Sequence, residues 1–534
     1  MTTRRAKFTP PTSAPHARER EVTFGVAGGF HGGVPSQGVP NGFSPDVRNF
    51  VPLGGHITPR SGLSRLAATV IAAPVMGAEE ASDVYGNLGG VASTTTRLWS
   101  LTTKSQTWSA LSYLDGPSLP AHAGLSGNSL DYGAFETVFS PDLERMITVY
   151  SNNTNQVQFF EFSSSAVTFS DFTWVLSLES MRASKDITSI SDRLVFFNVV
   201  GSAGTRWPTR VLWSARGNPL SYVVADGAGI EDLKDMRGAG QACVRYKDFL
   251  VLFSDVEIWR ATPTFDDYAF RFDRVIDNIG CPYPRTIAVT PKGVVFLGRD
   301  FEVYLTDGAD VVRLGPVEGA GSSRIKEHLA AEITSAHRAW GIYSRVNNRY
   351  ELYYAVSASA DAPTKALFYD FATQTWWPQT FAFGLSAGVE VNDQTVFVGQ
   401  TSYYTNQDRR VNVFTSAGSV ARCFSTQTSD VGATIDARWR SPGVKNATRK
   451  AHLKEVWIDA DVDSASSGSV WVGSARSASV FTSERAVAFT TANDPMFVPV
   501  FSTDNAPAFE IRIADGGRPK IASFSATLQD ASKF

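Results

Sequence analysis

The sequence predicts an all-β chain, a β-propeller of about six to eight blades with an additional C-terminal β-sandwich-like domain and an irregular N-terminal arm. Three observations predict it. Short apolar runs rich in β-branched and aromatic residues recur between Gly, Asp, Pro, Ser and Asn turns, the pattern of antiparallel strands. Comparable runs around Val195, Leu250, Val295, Leu352 and Phe397 come round every 45 to 57 residues, the length of a four-stranded blade. Stretches of helical period are scarce. A pair of packed β-sandwiches is the competing architecture.

Size and composition bound what such a chain can do. With 534 residues, 43% hydrophobic and 12% aromatic, it can fill a large core. Lys and Arg number 49 against 52 Asp and Glu, so no basic excess offers tight binding to phosphates. Passing contact with DNA stays open. Cys243, Cys281 and Cys423 are far apart and read as small core residues, neither a disulfide framework nor a zinc pattern. The start is polar and basic, without a signal peptide, and the longest apolar run (67–76) is too short for a bilayer. A soluble chain outside the ordinary secretory route is expected.

In chain order, residues 1–43 form the expected flexible arm, with Arg4, Arg5, Lys7, Arg18 and Arg20 among small polar residues and a Gly-rich stretch from 25. The arm is either solvated or ordered against a neighbouring subunit. The propeller is expected over 44–430. Its clearest meander is 279–316, where runs at 286–289, 294–297, 303–305 and 311–314 are separated by Pro291-Lys292-Gly293, Gly298-Arg299-Asp300 and Asp307-Gly308. One helix is expected at 323–335, with Ile325, Leu329 and Ile333 on one face and Ser323 as N-cap. From 431 to 534, strand-like runs between Ser/Gly loops predict the C-terminal β domain.

Chemical motifs are few. The seven histidines show no metal-ligand spacing, and no nucleophile elbow, P-loop or dinucleotide fingerprint follows a strand. Residues 129–135 resemble the Asp-box of sialidase propellers, a folding element. Asp266-Asp267 and Glu231-Asp232 could serve glycoside hydrolysis, but adjacent acids on a strand face opposite ways. No catalytic residue, cofactor site or metal site is assigned, and the chain is expected not to be an enzyme.

Several stretches, in order, carry a resemblance. Asp46 and Asn49 followed by Arg60 and Gly62 fit a D-x-x-N … R-x-G pattern. Residues 230–233 with Tyr246-Lys247 and Ile258-Trp259 follow. Gly280, Arg285 and 294–297 fit I-G-C … R … V-x-F-L, and Tyr304 to Asp307-Gly308 fits Y-x-L-x-G. Asn347-Asn348-Arg349-Tyr350 and Asp370 with Trp376-Trp377 close the series. Over about 44–380 the chain resembles the short-tail nozzle proteins of bacteriophages, the family of tail tubular protein B and packaged-DNA stabilisation proteins.

That resemblance implies a structural virion protein at the distal end of the tail tube, assembled in the host cytoplasm. It implies self-association into a ring, a hexamer, contacts with the tail adaptor and portal complex and with tail fibres or spikes, and contact with the host cell surface. Double-stranded DNA would pass without sequence specificity, retained until infection. The alternatives are a glycan-binding or receptor-recognition propeller, weakly motivated by Trp99, Trp108, Trp376 and Trp377, and another tail hub component.

Overall fold

The computed structural model describes residues 19–32, 38–70, 73–82, 88–102, 107–113, 132–160, 168–171, 181–264, 268–315, 317–318, 322–323, 325–357, 362–394, 407–415, 419–422, 429–430, 432–443, 451–462, 466–474, 481–489, 496–504, 507–513 and 518–530. It divides into two compact units, Arg60–Ile435 and the combination of Met1–Pro59 with Asp436–Phe534.

The larger unit is a β-propeller. Seven sheets, antiparallel but for one short parallel pair in the second, follow one another among its described residues. Their first strands are Gly77–Ser82, Ala134–Ser140, Met181–Ile190, Gly240–Tyr246, Ala288–Thr290, Trp340–Ser344 and Leu385–Gln394. Within a sheet, strands that follow one another in the chain pair antiparallel; the second sheet also takes Ser112–Tyr113, paired in parallel with Thr168–Asp171, and the seventh takes a strand from earlier in the chain. The second strands Phe249–Ser254, Gly293–Leu297 and Arg349–Tyr354 are buried almost throughout. A strand covered by a neighbouring blade on each face has no solvent side, so it reads as a continuous apolar run rather than an alternation. Those are the runs visible in the sequence.

The ring closes through the two ends of the propeller segment. The seventh blade takes Leu385–Gln394, Gln407–Thr415 and Ser419–Arg422 from late in the propeller. Its outer strand is Ser64–Val70, from before the first blade, with Ser419 opposite Val70 and Arg422 opposite Ser64. This strand occupies the start of the longest apolar run. It supplies the fourth strand that the late segment alone does not give the seventh blade.

Hydrogen bonds join each blade to the next. Gly133 N donates to Met76 O (3.3 Å), Ser151 Oγ to Ser184 O (2.7 Å), Asn198 Nδ2 to Gly240 O (2.7 Å) and Cys281 N to Ser254 O (2.9 Å). Tyr350 Oη donates to Thr286 O (2.7 Å), Trp340 Nε1 to Leu385 O (2.9 Å), and Val75 N to Ser386 Oγ (3.1 Å) completes the circle. Apolar clusters fill the spaces between, as where Phe253, Phe296, Val251 and Val294 meet at the junction of blades four and five.

The helix, α1, is Lys326–Glu332. Ile325, Leu329 and Ile333 are buried, as their spacing predicts. Ser323 is not its cap: it lies in the short strand Ser322–Ser323, paired with Val317, and the N-cap position is Ile325 with no side-chain cap.

The smaller unit is a sandwich of two sheets. One contains Met496–Asp504, Ala451–Asp461, Lys520–Asp530, His56–Pro59 and Phe50–Leu53, with Glu19–Gly25 paired along Lys520–Asp530. The other contains Val47–Arg48, Ala437–Arg440, Pro507–Ile513, Ser466–Ser474 and Phe481–Phe489. Trp439 and Phe524 (4.6 Å between ring centroids), Phe509 and Phe524 (5.8 Å), and Phe24 and Phe509 (5.5 Å) fill the space between them.

This division differs from the expected one at the N-terminal side. Residues 44–59 belong to the sandwich rather than to the propeller, and Glu19–Gly25 is a strand rather than part of a loose arm. The cause is pairing across nearly the whole chain: Glu19 lies opposite Gln529, and Val47 opposite Trp439.

Candidate functional site

The residues that carry the family resemblance are held in structural positions. In the sandwich, Asp46 accepts from Arg48 (3.2 Å) and Arg438 (2.9 Å), and Arg440 stands 3.4 Å away. Asn49 adopts φ 57° and donates from Nδ2 to Asp436 O (2.8 Å). In the propeller, Arg60 is buried, donates to both oxygens of Asp430 and to Thr380 O, and stacks over Phe381 at 4.4 Å. Gly62 lies so close to Ser429 that a Cβ would sit 2.0 Å from its carbonyl oxygen.

The rest shape turns and blade junctions. Lys247 turns the chain at φ 55° between two strands, its ammonium 4.9 Å from the Tyr246 ring. Gly280 abuts the backbone of Asp255 and Val256. Asp307 Oδ1 accepts from the N–H groups of Ala309 (2.9 Å) and Asp310 (3.0 Å), which holds its carboxyl below the usual range. Gly308 (φ 85°) leaves room for the Phe249 ring. Asp370 Oδ1 accepts from Ala372 N (2.9 Å) and Thr373 N (2.7 Å), closing the next hairpin. Tyr350 ties blade six to blade five. These positions do not converge on one pocket.

Arg285 is the exception in placement. It donates to Ser386 O (2.7 Å), lies 4.4 Å over the Tyr132 ring, and reaches the propeller's axial cavity. That cavity, about 470 Å³, is walled by first strands of blades one, five, six and seven, including Glu79, Val289, Tyr343 and Glu390. Arg345 N donates to Glu390 Oε1 (2.9 Å).

The first strands of blades one to three each carry an acid, and the Asp186 charge acts on the other two. Burial, helped by Glu80, pushes Glu79 up to about 7. Burial pushes Glu136 up to about 8, although Ser189 Oγ donates to it at 2.7 Å. Asp186 rises to about 7 by burial, against the 2.7 Å bond from Cys243 N. Water reaches Glu79 most freely, while Glu136 and Asp186 are half-buried. Enclosure by protein disfavours the charged form of Glu136 and Asp186. Sequence reading missed these three, because single acids in amphipathic strands look like solvated ones.

Other expectations resolve as follows. Glu231-Asp232 is not a catalytic pair: Asp232 is bound by Arg210 through two bonds (2.7 and 2.8 Å), which lower its acidity range, and Glu231 faces a different cleft. Trp376 and Trp377 are buried rather than exposed, with their indole N–H groups bound to Leu314 O (3.3 Å) and Thr375 Oγ1 (2.8 Å). Trp99 is partly covered, and the Trp108 side chain, residues 129–131, Asp266-Asp267 and Cys423 lie outside what the structure describes. Cys243 and Cys281 are free and buried. Among the described residues, no group of three or more His, Cys, Asp or Glu is placed to hold a metal ion.

No protein-family model and no curated protein matches the chain. Solved structures do resemble it. BamB from Moraxella catarrhalis shares 10% identity over 70% of this chain and 93% of its own, with a TM-score of 0.35. YCF48 bound to D1 peptide shares 10% over 71% and 98%, with a TM-score of 0.38. An exo-β-1,3-galactanase from Phanerochaete chrysosporium shares 10% over 78% and 98%, with a TM-score of 0.25. At such distances no ligand, partner or reaction transfers to this chain.

Proposed function

We propose that the chain is a structural virion protein forming the distal nozzle of a phage tail tube, a ring of copies that retains packaged DNA and lets it pass at infection. The observation that carries this reading is the use made of the resemblance-bearing residues. They serve ring closure (Arg60, Gly62), blade junctions (Gly280, Tyr350), hairpins (Asp307, Gly308, Asp370) and the sandwich (Asp46, Asn49). A pattern spent on architecture suits a subunit whose task is to be part of a wall.

The axial cavity supports a further part of the reading. At about 470 Å³ it has the size of a small-molecule cavity, so a duplex does not thread the propeller. DNA would run between copies, and head-to-tail contacts of one surface with another close such a ring. The near-neutral composition suits passage, since each added cation on the wall would strengthen phosphate attraction. The non-enzymatic assignment belongs to this proposal, and turnover assays on glycan substrates test it. Electron microscopy of virions, with the chain located by a tag, tests the whole: density at the tail tip is expected, and density elsewhere would refute it.

A further inference from the structure

We propose that the cleft between the third and fourth blades, on the face carrying their third-to-fourth-strand connections, binds a neutral carbohydrate. The cleft measures about 550 Å³, room for a mono- or disaccharide. Trp213, Phe270 and Phe272 form one aromatic cluster on its wall, with Trp213 and Phe270 edge to face at 5.4 Å and Phe270 and Phe272 at 6.1 Å. Tyr268 lines the cleft, 79% exposed, beside Ala269, whose carbonyl accepts from Thr264 N (3.0 Å). An aromatic ring held out to solvent offers the apolar face on which the C–H side of a sugar ring stacks.

The polar groups select the ligand class. Glu231 lines the cleft, is exposed, and its carboxylate makes no hydrogen bond or ion pair among the described residues. Arg216 lines it too, 62% exposed and only 3.7 Å from Asp192 in a loose pair. Arg193 is committed, donating to Ser214 O (2.8 Å) and Gly227 O (2.7 Å). An anionic ligand would meet Glu231 and a cationic one would meet the two arginines. A purely apolar ligand would strip water from both without replacing its hydrogen bonds. A neutral molecule carrying many hydroxyls can accept from Arg216, donate to Glu231 and still present an apolar face.

Saturation-transfer NMR on the full chain tests this, with a panel of hexoses, N-acetylhexosamines, deoxyhexoses and uronic acids, and with apolar peptides as a second arm. Transfer to at least one neutral sugar is expected, with Kd weakened about ten-fold or more in Tyr268→Ala and in Glu231→Gln. Val312→Ala, at an exposed site in the fifth blade, should bind as the parent does, and circular dichroism checks that each variant folds. Absence of transfer to every neutral sugar, transfer untouched by both variants, or a response to uronic acids or peptides alone would overturn the proposal. It does not rest on the nozzle reading: a chain found elsewhere in the virion could still pass this test.

Discussion

Arg60 and Asp430 stand 370 residues apart in sequence and meet as a buried bidentate ion pair, at 2.8 and 2.5 Å. They flank the closure in which Ser64–Val70 completes the seventh blade. Asp430 Oδ1 also accepts from Leu63 N (3.3 Å), so the same carboxylate holds the backbone at the entry to the closing strand. Removing one partner leaves a charge in a dry site, which costs about 3–5 kcal/mol. Arg60→Met should therefore destabilise the propeller by that order in denaturant unfolding. Arg60→Met with Asp430→Leu should recover much of the loss; a double variant no better than the single would show that the charge itself is not the cost.

Gly62 and Gly204 separate crowding from backbone freedom. Gly204 has φ 84° and open space around it, so Gly204→Ala should cost about 1 kcal/mol. Gly62 lies against the carbonyl of Ser429, and Gly62→Ala must push backbone apart beside the closing strand. It should lower the unfolding midpoint well beyond Gly204→Ala. Equal effects would mean that the closure yields easily.

Tyr350→Phe should cost about 1–3 kcal/mol, because it leaves the buried Thr286 carbonyl without its cross-blade donor. Tyr343→Phe removes a hydroxyl bonded to Asn348 at an exposed site and should be close to neutral. Thermal unfolding of the two variants compares them directly.

The acids on the first strands of blades two and three predict a pH dependence with a definite sign. Unfolded, Glu136 and Asp186 release protons at their ordinary 4.5 and 3.8; folded, they hold them to about 8 and 7. The folded state binds more protons across that window, so their contribution is fully present below it and is lost as pH rises to about 8. Lys185 and Arg245 oppose the trend by attracting the anions. Glu136→Gln should flatten the fall in denaturation midpoint between mildly acidic and mildly alkaline pH. An unchanged slope would contradict the enclosure of Glu136.

Much of the propeller was legible because its second strands, such as Gly293–Leu297, are covered on both faces and so appear as unbroken apolar runs. The buried face of α1 was legible from Ile325, Leu329 and Ile333. Ring closure was not, since Ser64–Val70 looks like any apolar run until its partner Ser419–Arg422 is known. The sandwich hid for the same reason: Glu19–Gly25 pairs with residues about five hundred positions away, and local pattern carries no information on such pairing. The rim cleft joins Glu231, Trp213 and Tyr268 from two blades, a proximity that only the coordinates reveal.

Cryo-electron microscopy of the intact virion tests the central claim most directly. The account predicts a closed ring of copies of this seven-bladed chain at the tip of a short tail, around a lumen wide enough for a DNA duplex. A chain that is monomeric there, or absent from the tail, would contradict it.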